Sequence, residues 1–230
     1  MKTPETIPFK IATITLIVLA LSLNACSQTT KKNNNANSNS NSKLISDKQV
    51  NLNIDTITLG GGCYWCVEAV YEMLNGVIKV ESGFSGGTVK DPSYREVCSG
   101  STGHAEVVQI TFDKTKTTIA EILKVFFTVH DPTTLNRQGA DVGTQYRSII
   151  FYRNNEQYKA AKDIVDAINS ENVYGSPIVT QISPFDKFYI AEDYHQDYFD
   201  LNKEEPYCRM VIQPKIDKFE KIFKEKLKKK

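Results

Sequence analysis

The sequence predicts an α/β fold with two layers, in which strands and helices alternate along the chain. Short runs of strand composition are separated by segments whose apolar residues recur at helical spacing. One helical segment opens with a capping box, and about 180 residues have the composition of a single globular domain. These observations do not decide whether the sheet is parallel or mixed.

The first structural unit surrounds three glycines, residues 60–62. Residues 54–59 (IDTITL) have the composition of a strand, and residues 66–74 carry apolar side chains at helical spacing. Residues 77–80 are predicted to form the next strand, and the segment 83–87 (GFSGG) is predicted to be a loop. The unit is therefore a strand, a helix and a second strand.

The middle of the chain carries the clearest signals. Residues 105–112 (AEVVQITF) alternate with period two, so Glu106 opens the more apolar face of that strand. Residues 118–121 (TIAE) form a capping box, and the apolar stripe that runs from there to His130 predicts a helix. Residues 148–152 (SIIFY) are apolar on both faces, which predicts a central strand.

The C-terminal third continues the alternation with weaker signals. Residues 155–169 predict an amphipathic helix, residues 178–182 and 187–190 predict short strands, and residues 212–230 predict a terminal helix. No internal repeat is visible. The whole pattern therefore favours an α/β two-layer sandwich.

The beginning of the chain has the features of a secretory signal. Lys2 and Lys10 precede an apolar run, residues 11–23, which is too short for a comfortable membrane span. The run ends in LNAC, residues 23–26, which resembles the box where bacterial lipoproteins are cleaved and acylated on cysteine. An ordinary signal peptide or an uncleaved anchor is the alternative.

Residues 26–48 are low in complexity and almost free of apolar side chains, which predicts a disordered tether. We therefore predict a signal peptide over residues 1–25, lipidation at Cys26 and a folded domain over residues 49–230. Such a protein would be exported and anchored by lipid to a bacterial cell membrane, facing the periplasm or the exterior.

Charge and histidine spacing exclude two classes of function. The net charge of the chain is +1, which gives no basis for nucleic-acid binding. His104, His130 and His195 do not have the spacing of metal ligands, so we predict that they are structural or hydrogen-bonded and that no metal is held.

Cys63 directly follows the three glycines, at or just before a predicted helix start. The free amides and the dipole of a helix start favour a thiolate, which lowers the pKa of a cysteine there. The glycines are expected to leave the sulfur accessible, and Tyr64 and Trp65 offer an aromatic wall beside it. The alternative is an inert cysteine in the core.

Other polar residues could complete a site around Cys63. Glu106, desolvated on the apolar face of its strand, would have a raised pKa and could donate a proton near neutral pH. Asp141 and Tyr146 lie in a polar loop directly before the predicted central strand, and Tyr94 lies in a second ambiguous segment, 94–100. The alternatives are a solvated carboxylate for Glu106, and turn or packing roles for the others.

Five blocks of the sequence together resemble the methionine sulfoxide reductase A family, from about Thr58 to Lys218. The blocks are GGGCYWC (60–66), GFSGG (83–87), YREVCSGSTGHAEVV (94–108), HDPTTLNRQGADVGTQYRS (130–148) and AEDYHQDYF (191–199). The resemblance implies a ferredoxin-like two-layer core with a mixed sheet and an extended C-terminal segment. It also implies that residues 49–230 are the catalytic domain of a monomeric enzyme.

The resemblance implies a role for each of eight residues. They are Cys63 as the nucleophile, Glu106 as the acid, Tyr94 and Tyr146 as hydroxyls that support the sulfoxide oxygen, Asp141 in the substrate site, Tyr64 and Trp65 as the pocket for the substrate methyl group, and Cys208 as the resolving cysteine. The implied substrate is the S epimer of methionine sulfoxide. No cofactor is implied, and the implied reductant is an external dithiol such as thioredoxin.

Cys66 departs from the common pattern of the family, since only some members have it. As part of a C-x-x-C pair it could compete with Cys208 as the resolving thiol; we favour Cys208, because a disulfide at a helix start would strain the pocket. Two other functions stay open. One is a general thiol–disulfide oxidoreductase, disfavoured because Trp65 lies between the cysteines, and the other is a non-catalytic lipoprotein with structural cysteines.

Overall fold

The computed structural model describes residues 53–229. The predicted signal peptide, the tether and Cys26 lie outside the described residues. Within residues 53–229, no helix combines the length and the hydropathy that crossing a membrane requires.

The described residues form eight strands and six α-helices, with short 3-10 and π-helical turns between some of them. In chain order they are β1 (Ile54–Gly61), α1 (Tyr64–Glu72), β2 (Val77–Ser85), α2 (Tyr94–Cys98), β3 (Ala105–Asp113), α3 (Ile119–Val129), β4 (Arg137–Gln138), β5 (Asp141–Val142), β6 (Ser148–Tyr152), α4 (Asn155–Ser170), β7 (Gln181–Pro184), β8 (Phe188–Ile190), α5 (Tyr198–Leu201) and α6 (Gln213–Ile222).

Six of the strands form one mixed sheet in the order β7-β6-β1-β3-β2-β8, and β4 and β5 form a separate hairpin. The β6–β7 pair is parallel, and the other pairs are antiparallel. The central order β6-β1-β3-β2, with α1 after β1 and α3 after β3, is that of a ferredoxin-like core. The predicted two-layer fold with a mixed sheet is confirmed.

The main core lies between one face of this sheet and the helices. Val108, Ile110 and Phe112 of β3 point into it, together with apolar residues of α1, α3 and α6. Ala105 and Val107 point to the other face, where a smaller apolar cluster forms. Because side chains alternate along a strand, Glu106 shares the face of Val108 that the helices cover.

The predicted loop 83–87 is partly wrong, because β2 continues to Ser85. Gly83 pairs with Val107 on one side and with Ile190 on the other, and a Cβ atom there would lie 2.3 Å from the carbonyl oxygen of Tyr189. The glycine is therefore required for close strand packing and does not mark a turn.

The predicted terminal helix is also shorter than expected, since α6 ends at Ile222. A π-helical turn, Cys208–Ile212, leads directly into α6. The short helix α2 and the hairpin β4–β5 were not predicted from the sequence at all.

Candidate active site

Cys63 is the N-cap residue of α1, with extended backbone dihedrals of φ −60° and ψ 126°. Its carbonyl accepts a hydrogen bond from the amide of Cys66 at 3.2 Å, which closes the first turn. The predicted position at a helix start is therefore confirmed, although the helix begins two residues earlier than expected. Only 6% of Cys63 is exposed, so the expectation of an accessible sulfur is wrong for this conformation.

Gly62 allows the loop after α3 to pack against the residue that precedes Cys63. Its φ is +92°, and a Cβ atom at this position would lie 2.6 Å from the side chain of Gln138 in β4. Gln138 is fixed in turn, because its amide group accepts from the Asp131 amide at 3.1 Å and donates to the Asp131 carbonyl at 3.1 Å. The hairpin β4–β5, which carries Asp141, is thereby held beside Cys63.

Glu106 is 1% exposed and lies next to Cys63. Its Oε2 atom accepts a hydrogen bond of 3.2 Å from the backbone amide of Tyr64, the residue that follows Cys63. Burial raises the pKa of Glu106 to about 8, and the charges of Asp141 and Cys66 act in the same direction. The carboxyl is therefore protonated at neutral pH, as predicted, and the alternative of a solvated carboxylate is wrong.

The pKa values of the two cysteines of the C-x-x-C pair are shifted in opposite directions. Burial raises the pKa of Cys63 well above its ordinary value, and the contact with Cys66 and the charge of Glu106 raise it further. The hydrogen bond with Cys63 lowers the pKa of Cys66 to about 6, and the charge of Lys215 adds to this effect. The lowering expected at Cys63 is therefore not found, because burial outweighs the helix terminus there, and the lowered pKa is that of Cys66.

Tyr94 and Tyr146 come to the same site from different elements. Tyr94 is the first residue of α2, which has a capping box formed by Ser93 and Glu96. Tyr146 ends the 3-10 turn Thr144–Tyr146. Burial raises the pKa of both hydroxyls, and the nearby Glu106 charge acts in the same direction on each. Both phenols therefore remain protonated and can donate hydrogen bonds to a group bound between them.

An aromatic wall stands beside the cysteine pair, as predicted. The Tyr64 ring is 1% exposed and lies 5.9 Å from the ring of Phe84, measured between centroids. Trp65 stacks on Tyr198 of α5, with centroids 3.7 Å apart and planes 8° from parallel.

Asp141 is connected to the cysteines through Tyr207. The Tyr207 hydroxyl donates a hydrogen bond of 2.8 Å to the Oδ2 atom of Asp141. The same hydroxyl lies 4.0 Å from the sulfur of Cys66. Tyr207 was not singled out from the sequence, and only its position beside Cys208 could have drawn attention to it.

His195 is a second site residue that the sequence reasoning missed. Its ring centroid lies 4.4 Å from that of Tyr94, 5.4 Å from that of Tyr64 and 5.5 Å from that of Trp65. Both of its ring nitrogens are buried without a hydrogen-bond partner among residues 53–229, so of the two predicted roles, structural or hydrogen-bonded, only the structural one remains for His195. His104 and His130 do make hydrogen bonds with both ring nitrogens.

The buried polar atoms that lack a partner in the described part of the chain all lie in this neighbourhood. They are the Tyr64 hydroxyl, Trp65 Nε1, Glu192 Oε2 and both ring nitrogens of His195. Glu192 belongs to it through its other oxygen, which accepts from the Tyr94 amide at 3.0 Å. Because orphaned polar groups are costly in a core, their concentration here indicates a pocket that receives a polar ligand or water.

Cys208 lies near Cys66, as the first residue of the π-helical turn before α6. It is fully buried, and burial raises its pKa, with the charge of Cys66 acting in the same direction. The sequence stretch 203–208 looks flexible, but in the structure its end is packed into the main core.

The chain is similar to proteins of known family. A family model described as peptide methionine sulfoxide reductase matches residues 55–227. A peptide methionine sulfoxide reductase MsrA of Saccharolobus solfataricus is 56% identical over 175 residues, which cover 76% of this chain and 98% of the relative. The MsrA of Deinococcus radiodurans is 52% identical over 168 residues, covering 73% of this chain and 82% of that protein.

Two solved structures are also similar to this chain. Mxr1 of Saccharomyces cerevisiae in its reduced form has a TM-score of 0.64 at 36% identity, covering 68% of this chain and 90% of that one. Methionine sulfoxide reductase A of Corynebacterium diphtheriae has a TM-score of 0.62 at 37% identity, covering 66% of this chain and 76% of that one.

Proposed function

The chain belongs to the peptide methionine sulfoxide reductase family and is an oxidoreductase that reduces methionine sulfoxide; from this premise we propose that it takes the S epimer, free or in proteins, with Cys63 as nucleophile and Glu106 as acid. The observation that carries this proposal is the buried, protonated Glu106 bonded to the amide beside Cys63. A sulfoxide sulfur is a poor electrophile until its oxygen receives a proton, so an acid and a thiolate must meet at one S–O bond.

The first step transfers oxygen from the substrate to the enzyme. The Cys63 thiolate attacks the sulfoxide sulfur while Glu106 gives its proton to the oxygen. The attack forms an S–S bond between Cys63 and the substrate sulfur. The protonated oxygen then passes to the Cys63 sulfur as that S–S bond and the S–O bond of the substrate break, so methionine leaves and Cys63 holds the oxygen as a sulfenic acid. Because burial raises the pKa of the Cys63 thiol, the thiol must lose its proton when substrate is bound.

The substrate is oriented by the residues around this pair. Tyr64 and Trp65 receive the methyl group, and the Tyr94 and Tyr146 hydroxyls hydrogen-bond the sulfoxide oxygen. Asp141 and the unpartnered groups around His195 are suited to the polar atoms of the methionine or its peptide backbone. A methyl pocket on one side and hydrogen-bond donors on the other allow one sulfoxide epimer to present its sulfur to Cys63.

The second step returns the enzyme to its reduced state. A second thiol, Cys208 or Cys66, condenses with the sulfenic acid, which releases water and leaves a disulfide. A thioredoxin-like dithiol then reduces that disulfide, so the proposed enzyme needs no cofactor.

The test is a stereospecific assay on each sulfoxide epimer with dithiothreitol and with thioredoxin as reductants. Wild-type protein is expected to reduce only the S epimer, Cys63→Ser is expected to release no methionine, and Glu106→Gln is expected to be slower by about 100-fold or more. Equal rates on both epimers, or full activity of Glu106→Gln, would contradict the proposed roles. Reduction of insulin in place of the sulfoxide would instead support a general thiol–disulfide oxidoreductase.

We also propose that the enzyme works outside the cytoplasm, where a lipid on Cys26 and the tether of residues 26–48 hold it at a membrane. In that position it would repair oxidised envelope proteins. The support is the LNAC box after an apolar run and the polar composition that follows. Labelled palmitate should enter the wild-type protein and not Cys26→Ala; incorporation into both proteins would disprove the anchor.

A further inference from the structure

Cys66 lines a narrow cavity between α1, α3 and α6, which has no room for a water molecule. The cavity is lined by Gly61, Cys66, Val67, Phe126, Val129, His130 and Lys215. Most of this lining is apolar. His130 adds no charge, because both ring nitrogens bond to uncharged oxygens, of Phe126 and Ser148, and burial lowers its pKa to about 4. Lys215 is therefore the cation that this cavity presents to Cys66.

We propose that Lys215 is a positioning residue that holds Cys66 as a thiolate, so that Cys66 and not Cys208 condenses with the sulfenic acid of Cys63. This inference rests on the proposed function, because it concerns the step that follows reduction of the sulfoxide. It assigns a task to Lys215, and it replaces the preference for Cys208 drawn from the sequence, because the structure places Cys66 one helical turn from Cys63.

The first support is the place of the two cysteines in α1. Cys63 is the N-cap and Cys66 is the third residue of the helix, so they lie one turn apart on the same side. The bond from the Cys66 amide to the Cys63 carbonyl holds the two residues together at 3.2 Å. This is the arrangement of a C-x-x-C pair at a helix start, in which the terminus also favours a thiolate.

The second support is the set of charged and titratable groups that face Cys66. Besides Lys215, they are Cys63 and Glu106 in the site, and Tyr207 and Cys208 before α6. Glu106 is protonated near pH 7, and burial raises the pKa of Tyr207. The hydrogen bond with Cys63 and the charge of half-buried Lys215 together lower the pKa of Cys66 to about 6.

Cys208 has the opposite environment. Burial raises its pKa, the Cys66 charge raises it further, and none of its side chain is exposed. A neutral thiol is a weak nucleophile, so at pH 7 Cys66 is the sulfur ready to attack.

The resolving step forms a disulfide and releases water. The Cys66 thiolate attacks the sulfur of the Cys63 sulfenic acid and forms the S–S bond, while the S–O bond breaks. The leaving hydroxide takes a proton from solvent or from a neighbouring acid and departs as water. Cys66 is oxidised, the sulfenic sulfur of Cys63 is reduced, and the external dithiol later supplies two electrons to reopen the disulfide.

The experiment is a single turnover of L-methionine-S-sulfoxide without external reductant, followed at pH 5 to 9. Released methionine reports the first step, a dimedone probe reports sulfenic acid, and mass mapping reports the disulfide. The variants are Lys215→Met, which suits the apolar cavity, and Lys215→Arg, which keeps the charge. Lys218→Met is the matched control, because Lys218 lies on the same helix and donates to the Thr128 carbonyl.

All proteins are expected to release one equivalent of methionine. In Lys215→Met, the pH profile of Cys63–Cys66 disulfide formation should move upward by about one unit, so the thiolate fraction of Cys66 should fall about fivefold at pH 6 and about twofold at pH 7. The rate should approach that of the wild type by pH 9, since the thiol is then ionised without help. Lys215→Arg and Lys218→Met should keep the wild-type profile.

Two results would overturn the inference. One is an unchanged pH profile in Lys215→Met, or an equal loss of rate at every pH. The other is a Cys63–Cys208 disulfide in the wild-type protein with Cys66 still free. If Lys215→Met does not fold, Lys215→Gln is used with the same measurements. Absence of released methionine in the wild-type protein would contradict the proposed function itself, so the two failures can be told apart.

Discussion

At the residue scale, Glu106 is a carboxyl whose burial raises its pKa, which suits it to donate a proton but makes the folded state less stable. Glu106 is 1% exposed, and within residues 53–229 its carboxyl has one hydrogen bond, from the Tyr64 amide. Burial raises its pKa to about 8. A carboxyl with this pKa keeps its proton through the neutral range and can still release it to a developing oxyanion.

The pH dependence of the reaction tests this role. The rate constant for sulfoxide reduction should fall as the pH rises through about 8, because Glu106 then loses the proton that it must donate. The falling limb should be absent from the residual activity of Glu106→Gln, which keeps an acceptor for the Tyr64 amide. Single-turnover methionine release between pH 6 and 10 measures both profiles. A falling limb that persists unchanged in Glu106→Gln would show that another group supplies the proton.

At the scale of elements, the site depends on how the hairpin β4–β5 packs on the start of α1. Gly62 has a positive φ, and its Cα faces the side chain of Gln138. The backbone conformation and the close contact both exclude a larger side chain, so this glycine fixes the distance between Cys63 and the loop that carries Asp141.

Gly62→Ala is expected to lower the free energy of unfolding by about 2 kcal/mol and to raise KM for the sulfoxide, because the hairpin must move away from the new methyl group. The matched control is Gly139→Ala, at the tip of the same hairpin. Gly139 also has a positive φ, of +60°, but no atom lies within 4 Å of a Cβ built there. The control should lose about 1 kcal/mol and keep its KM. Urea unfolding and initial rates give both quantities, and equal KM values in the two variants would exclude the packing argument.

The stack of Trp65 on Tyr198 connects α1 with α5. Tyr198→Leu should leave Trp65 without its flat partner, so the methyl pocket should loosen. We expect a severalfold rise in KM with little change in kcat, because in the proposed mechanism Trp65 contacts the substrate methyl group and not the proton or the leaving oxygen. Steady-state rates measure the two constants; a fall in kcat at constant KM would contradict this role for the stack.

The success of the sequence predictions also varies from element to element. Residues 148–152 were predicted as a strand and residues 118–121 as a capping box, and both are confirmed because their signals are local. The hairpin β4–β5 and the π-helical turn Cys208–Ile212 were not predicted, since contacts with distant parts of the chain fix them.

Inside the site, too, features with local signals could be predicted, and features that depend on distant contacts could not. The positions of Cys63 and Glu106 could be predicted, because a helix start and strand alternation place them. Which of the two cysteines has the lower pKa could not be predicted, because it depends on burial and on Lys215, a residue of α6. For His195, the sequence could not decide between a structural and a hydrogen-bonded role, since its context does not reveal that its ring nitrogens lack partners within residues 53–229.

At the scale of the whole molecule, three glutamates have raised pKa values; Glu68 and Glu106 are buried, and Glu72 is half-buried. Burial raises the pKa of Glu68 to about 7, of Glu72 to about 8 and of Glu106 to about 8. In the unfolded chain these groups ionise near pH 4.3. Between that pH and 7 or 8, the folded state therefore holds protons that the unfolded state has released, and the free energy of unfolding falls as the pH rises.

Two other buried groups act in the opposite direction. Burial lowers the pKa of His130 to about 4, so the unfolded state binds the extra proton below pH 6.5 and stability rises with pH up to that value. The pKa of Cys66 is lowered to about 6, which adds stability between there and its unfolded value of about 8.5. Above pH 6.5 the loss of stability from the three glutamates is larger than the gain from this single thiol.

The reduced protein should therefore lose stability between pH 6.5 and 8, by on the order of 2 kcal/mol. The check is a series of urea unfolding curves under reductant across this range, with the Glu68→Gln/Glu72→Gln double variant as comparison. Gln at position 68 can still accept the 3.0 Å hydrogen bond from the Ser82 hydroxyl, so the variant removes the titration and keeps the contact. Its stability should change less with pH than that of the wild type and should exceed it at pH 8. A wild-type stability that rises from pH 6.5 to 8, or an equal slope in both proteins, would mean that these two glutamates do not keep their protons in the folded state.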